Sequence, residues 1–265
     1  MYAFEYHRPG SVADAVALLK GASDARFLAG GHTLLPTLKQ RLAQPSDLID
    51  LAGIAALKRI FVDRGSQLVL GAMVTHAEVA SSEEVRSWVP ALAHLAEHIG
   101  DAQVRNRGTI GGSIANNDPA ADYPAAVVGL NATVHTDKRG IGADDFFTAM
   151  FETALADDDI ITEVRFPKPD KAGYAKFPNP ASRYAIVGVM VAQTGGQTRV
   201  AVTGAGPRVF RLPEFEQALA GNFAAAAIEN LSVSPNGLNS DIHASAEYRA
   251  HLVKVMAKRA IAAAS

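Results

Sequence analysis

The chemistry most readable in this chain is anion binding by the backbone, in two strings about 80 residues apart. The first is Ala29-Gly30-Gly31-His32-Thr33. The second is Thr109-Ile110-Gly111-Gly112-Ser113, which runs on through Ile114-Ala115-Asn116-Asn117-Asp118-Pro119-Ala120-Ala121-Asp122. Paired glycines let a chain reach positive φ and approach a ligand closely. Successive N–H groups can then converge on an anion, and Thr33, Thr109 and Ser113 add hydroxyl donors. Two such loops would suit the two phosphates of one dinucleotide. The competing reading is a pair of tight turns, where glycine is a default residue. No G-x-G-x-x-G follows a strand and no G-x-x-x-x-G-K-[ST] occurs, so single-loop dinucleotide and P-loop sites are excluded.

Other residues carry weaker signals. Asp122 precedes Tyr123-Pro124. A carboxylate there either holds ribose hydroxyls or caps the helix predicted over Ala125–Leu130. Asn116 suits a turn. By residue type alone, Lys176 is a solvated lysine, Tyr184 a strand residue with a wet hydroxyl, and Ile99 and Ile161 core residues. His94 and His98 lie four apart on a predicted helix, half of the ligand set a structural zinc site needs. No Ser-His-Asp set or carboxylate pair is readable.

The elements that must position these residues alternate. Ser11 is set to cap a helix ending near Gly21. Arg26–Ala29 reads as a strand entering the first string, and Leu34–Leu42 as a helix leaving it. Asp47–Leu51 is a strand. Leu57–Val62 and Gln67–Leu70 form a hairpin about Asp63-Arg64-Gly65. Thr75 caps a short helix through Val79, and Pro90–Ile99 is helical. Ala132–His135 and Ile160–Phe166 are strands. The stretch from Phe166 to Gly173, with two prolines and three charges, is the best boundary. Beyond it, Ala185–Val191 and Thr198–Thr203 are strands joined at Gly195-Gly196, a hairpin turn rather than a third phosphate loop. Pro213–Leu219 and Ala244–Ala263 are helices.

Composition bounds the function. The 265 residues suffice for two or three sizeable cores. With no cysteine, the chain ligates no iron–sulfur cluster, builds no thiolate zinc site and forms no disulfide. A formal net charge of −2 argues against nucleic acid held by bulk charge. No apolar run reaches membrane-span length. The opening residues lack a signal-peptide pattern, so a cytoplasmic location is expected.

The strings AGGHTLLP and TIGGSIANNDPAAD, with FEYHRPGSVADAVALL, LVLGAMVTHAEV, KFPNPASRYAIVGV and AVTGAG, resemble the FAD-binding medium subunit of molybdenum hydroxylases. These are the carbon monoxide dehydrogenase and xanthine dehydrogenase relatives, and the look is nearest to carbon monoxide dehydrogenase medium chains. The resemblance implies an α+β fold: a bipartite FAD-binding domain of the vanillyl-alcohol-oxidase/PCMH type, plus a small α+β C-terminal domain. The implied parts are residues 1–54, 55–168 and 169–265.

The resemblance also implies FAD as the cofactor. Residues Ala29, Gly30, Gly31, His32, Thr33, Thr109, Ile110, Gly111, Gly112 and Ser113 would form its two loops. Asp122 would serve the adenosine end and Ile99 would pack on adenine. Asn116, Ile161, Lys176 and Tyr184 would be near the flavin, with Tyr184 gating one face. No residue is assigned a catalytic acid–base role and no metal ligand is implied. The implied partners are a molybdopterin-containing large subunit and a small subunit with two-iron, two-sulfur clusters, in a dimer of heterotrimers. Two other readings are a stand-alone flavin oxidoreductase and a nucleotide-binding regulatory module without turnover.

Overall fold

The computed structural model describes residues 1–64 and 66–265. At the N-terminus the Ser11 hydroxyl accepts the Asp14 N–H and starts the helix Val12–Gly21. Three parallel strands lie in the order Glu5–His7, Asp47–Asp50, Ala25–Leu28. The helix after the first glycine string spans Leu34–Lys39, short of the predicted Leu42, because Arg41 turns to φ 60. Ala15, Ile49, Leu51, Ile54, Leu57, Met73 and Ile160 form the core beneath this sheet.

The second sheet has five antiparallel strands, in the order Ile60–Asp63, Gln67–Gly71, Ile161–Pro167, Thr133–Thr136, Gly140–Gly142. The predicted hairpin is present between its first two strands, though Gly65 of its turn lies outside the described residues. The first of these strands starts at Ile60, not Leu57. Residues Ala55–Lys58 form a 3-10 turn, and the Leu57 carbonyl accepts the Met73 N–H. Helices His76–Ser81, Glu83–Trp88, Pro90–Glu97 and Tyr123–Gly129 share the core of this sheet. Thr75 caps the first of them in a reciprocal capping box with Glu78.

A four-stranded antiparallel sheet follows, in the order Lys171–Pro178, Ala185–Thr194, Gln197–Thr203, Phe210–Arg211. Only residues 168–170 separate it from the strand ending at Pro167. The prolines and charges at this junction hid the strand Lys171–Pro178. Gly195 and Gly196 turn the hairpin at φ 56 and 82. The helix Ala246–Ala263, capped by Ser245, packs its buried residues on this sheet.

The second glycine string departs from the loop expectation. Ile110–Asn116 is a helix capped by the Thr109 hydroxyl, and the two glycines lie in its first turn. Gly31 alone of the four glycines has positive φ, at 77. Two of the others serve close packing of chain on chain. A Cβ on Gly30 would lie 2.2 Å from the Arg107 carbonyl oxygen, and one on Gly111 would lie 2.6 Å from both Ala72 Cβ and the Ala72 carbonyl oxygen. Gly111→Ala should therefore cost about 1–3 kcal/mol through overpacking against backbone. Gly10→Ala, with nothing within 4 Å, should stay within about 0.5 kcal/mol. Denaturant unfolding followed by circular dichroism checks this; equal midpoints for the two variants would contradict it.

Candidate cofactor site

A cavity of about 730 Å³ runs between the two glycine strings, within the range of small-molecule and cofactor sites. All five residues of the first string line it, as do Thr109, Gly111, Gly112, Ser113 and Asn116 of the second. Ile99, Asp122, Ile161 and Tyr184 line it as well. Two expected residues do not. Ile110 is fully buried in the core and its N–H goes to the Val74 carbonyl. Lys176 is turned to protein partners, described below.

The two strings offer different chemistry. Among the described residues, nothing accepts the N–H groups of Gly30, Gly31, His32 and Thr33. Backbone donors at a cavity wall need a partner, and an anionic ligand supplies one. In the second string four of the five backbone donors are already used, all but that of Thr109. Ile110 donates to Val74 O, Gly111 to Ala72 O at 2.9 Å, Gly112 to Thr109 Oγ1 at 3.1 Å and Ser113 to Thr109 O. That string presents a rigid wall with hydroxyls and the single N–H of Thr109, not a second nest.

A buried charge cluster closes one end. The Lys176 ammonium lies 2.9 Å from an Asp122 carboxylate oxygen, with both side chains about 5% exposed or less. It also donates to the carbonyls of His98 at 2.7 Å and Arg183 at 3.0 Å. The Tyr174 hydroxyl donates to Asp122 at 2.5 Å. Burial pushes the Asp122 carboxyl up, while Lys176 and the Tyr174 hydrogen bond pull it back. Burial beside Asp122 holds the Tyr174 and Tyr123 phenols well above their ordinary range. Asp122 begins the helix Tyr123–Gly129 but does not cap it.

The resemblance places Asp122 and Ile99 at the adenosine end and Lys176 and Tyr184 near the flavin; the contacts bring these residues close together. The Lys176 ammonium joins Asp122 to the residues directly preceding Ile99 and Tyr184, so all four belong to one end. Ile161 packs in the core of the five-stranded sheet, while its neighbour Ile160 packs in the N-terminal core with Leu51 and Met73.

Several lining residues had no sequence signal of their own. Phe27, Leu51 and Met73 line the cavity with Ile160. His76 also lines it and is 5% exposed. Its ring packs 5.2 Å from that of Tyr123, and its Nδ1 has no partner among the described residues. Burial, with help from His32 and Arg105, lowers its pKa to about 4. His76 stands in the LGAMVTHAEV stretch, where its buried position inside a capping box was not separable from a surface histidine.

Residues 2–169 match the family described as FAD binding domain in molybdopterin dehydrogenase, and residues 172–264 match the CO dehydrogenase flavoprotein C-terminal domain. The chain is 37% identical to the nicotine 6-hydroxylase medium subunit of Paenarthrobacter nicotinovorans, covering 98% of this chain and 96% of that one. It is 36% identical to the carbon monoxide dehydrogenase medium chain of Hydrogenophaga pseudoflava, over 98% and 96%. The solved quinoline 2-oxidoreductase of Pseudomonas putida 86 superposes with a TM-score of 0.88 at 31% identity, covering 98% of this chain and 96% of that chain. The fold and site are thus those of an FAD-binding oxidoreductase subunit. The chain belongs to the medium-subunit family of carbon monoxide and xanthine dehydrogenase-type molybdenum hydroxylases. The free donors of Gly30–Thr33 fit the cofactor's diphosphate. No helix among the described residues is long and apolar enough to cross a membrane.

Two stability measurements follow from the buried charges. Lys176→Met should cost about 3–5 kcal/mol near neutral pH by leaving Asp122 buried without its cation. The variant's Asp122 has a folded pKa above its unfolded value. Its folded form therefore binds the extra proton, and the deficit shrinks as pH falls and grows as pH rises. Denaturant midpoints at pH 5.5 and 8 check this; a deficit independent of pH would contradict it. His76 behaves oppositely. With a folded pKa of about 4 against 6.5, the unfolded chain binds more protons, so stability is lost as pH falls from 6.5 towards 4. The full contribution is about 3 kcal/mol. His76→Gln should flatten that part of the stability–pH curve, and parallel curves would refute the assignment.

Proposed function

We propose that this chain is the electron-transfer subunit of a molybdenum hydroxylase complex. It would stand between a small subunit bearing two-iron, two-sulfur clusters and an external acceptor. Substrate would be oxidised at a molybdopterin-containing large subunit, and the assembly would be a dimer of heterotrimers. The observation that carries this reading is the row of unpartnered N–H groups from Gly30 to Thr33 on the wall of a dinucleotide-sized cavity. In relatives named for nicotine, carbon monoxide and glyceraldehyde, the medium chain recurs while the substrate changes. That recurrence favours a shared electron-carrying role over a substrate-binding one.

In this reading residues 1–54 and 55–168 are the two FAD-binding parts and 169–265 the C-terminal part. Gly30–Thr33 hold the diphosphate, with Thr109 and Ser113 adding hydroxyls. The flavin ring lies at the end of Ile99, Asp122 and Tyr184, and the adenine at the apolar end of Phe27, Leu51 and Ile160. Tyr184 is 48% exposed, which suits the end that an acceptor must reach. FAD supplies the capacity to take up electrons singly and give them up in pairs. Lys176 keeps Asp122 fixed. Tyr184 excludes water from one face of the site and controls access.

Denaturing the yellow protein should release FAD into the supernatant; FMN, or flavin retained on the chain, would refute non-covalent FAD binding. In the complex, Tyr184→Ala should keep FAD and change flavin reoxidation, while reduction of molybdenum by substrate is unaltered. Rapid mixing separates the two half-reactions. Unchanged reoxidation would make Tyr184 an ordinary surface residue.

A further inference from the structure

One cluster stands apart from the cofactor cavity. Among the described residues, His94, Glu97 and His98 bring one ligand atom each to within 4.8 Å of one another. The helix Pro90–Glu97 buries Ala91, Leu92, Ala93, Leu95 and Ala96. Its exposed side therefore presents positions 94, 97 and 98, at the i, i+3, i+4 spacing that brings side chains together. The two imidazole rings lie 4.3 Å apart, centroid to centroid.

The protonation pattern suits a metal. His98 Nδ1 lies 2.8 Å from the His94 carbonyl oxygen. A carbonyl only accepts, so the ring proton sits on Nδ1 and the Nε2 lone pair is free. This is the outer hydrogen bond that orients ligating histidines in metal sites.

We propose that His94, Glu97 and His98 bind a divalent late first-row transition ion such as Zn2+, with solvent completing the coordination. Two imidazoles and one carboxylate suit Zn2+, Cu2+ or Ni2+ over Mg2+ or Ca2+, which take oxygen ligands. The site closes the end of the helix from which the cavity wall continues. The His98 carbonyl accepts from Lys176, and Ile99 and Gly100 line the cavity. An ion here would fix the His98 backbone that holds the charge cluster.

The test uses the FAD-loaded full chain, treated with chelator and desalted. Zn2+ titration by calorimetry should show one site per chain. His94→Ala and His98→Ala should each weaken it about tenfold or more, and Glu97→Gln by less. With Cu2+, electron paramagnetic resonance should show hyperfine coupling to two imidazole nitrogens, falling to one in either histidine variant. All three side chains are exposed, so the variants should keep their fold and their FAD. Absence of a saturable one-to-one site, or wild-type binding and spectra in both histidine variants, would overturn the proposal.

Discussion

The cofactor cavity depends on close approach of chain to chain at two glycines. Gly30 lies on the backbone of Arg107 and Gly108, and Gly111 lies on Ala72. Any Cβ at either position would meet protein backbone, which cannot swing aside as a side-chain tip can. The first approach seats the segment Ala29–Thr33 against the chain leading into the helix Ile110–Asn116. The second seats that helix on the end of the five-stranded sheet, where Gly111 also donates to the Ala72 carbonyl. The two walls of the cavity are thus fixed by packing before any ligand enters.

With the walls fixed, the work of recognition divides unequally. The helical string has satisfied its own donors and is rigid, since each N–H from Ile110 to Ser113 has an internal acceptor. Among the described residues, nothing accepts the Gly30–Thr33 donors of the other string. At the far end, Lys176 reaches from the C-terminal sheet to Asp122 and to the carbonyls of His98 and Arg183. A buried ion pair adds little net stability, but losing one partner is costly. Its consequence here is geometric: one ammonium fixes three segments around the end where Tyr184 stands exposed. Preorganisation of this kind keeps a bound ring in place while leaving its edge open.

Much of this was legible in the sequence, for identifiable reasons. Ser11 and Thr75 cap helices as their types and spacing predict, since capping is a local interaction. Gly195-Gly196 turns a hairpin between two apolar runs. The first glycine string lines the cavity, and the donors it offers there are its own backbone. The second was misread as a loop, because a helix beginning at a threonine and two glycines depends on the carbonyls of Ala72 and Val74, far away in sequence. The protein partners of Lys176 are not legible for the same reason: they come from positions 98, 122 and 183. The paired strings marked the cavity; the chemistry of its ends came from long-range contacts that no spacing encodes.

The central claim is that the first string supplies the row of free backbone donors to the cofactor, while those of Ile110–Ser113 are held by the protein. Amide hydrogen exchange on the full chain, with and without FAD, tests it most directly. The account predicts that amides of Gly30–Thr33 exchange rapidly without FAD and become protected when it binds. Those of Ile110–Ser113 should be protected in both states. Protection that appears at Ile110–Ser113 on binding while Gly30–Thr33 stay unprotected would contradict it.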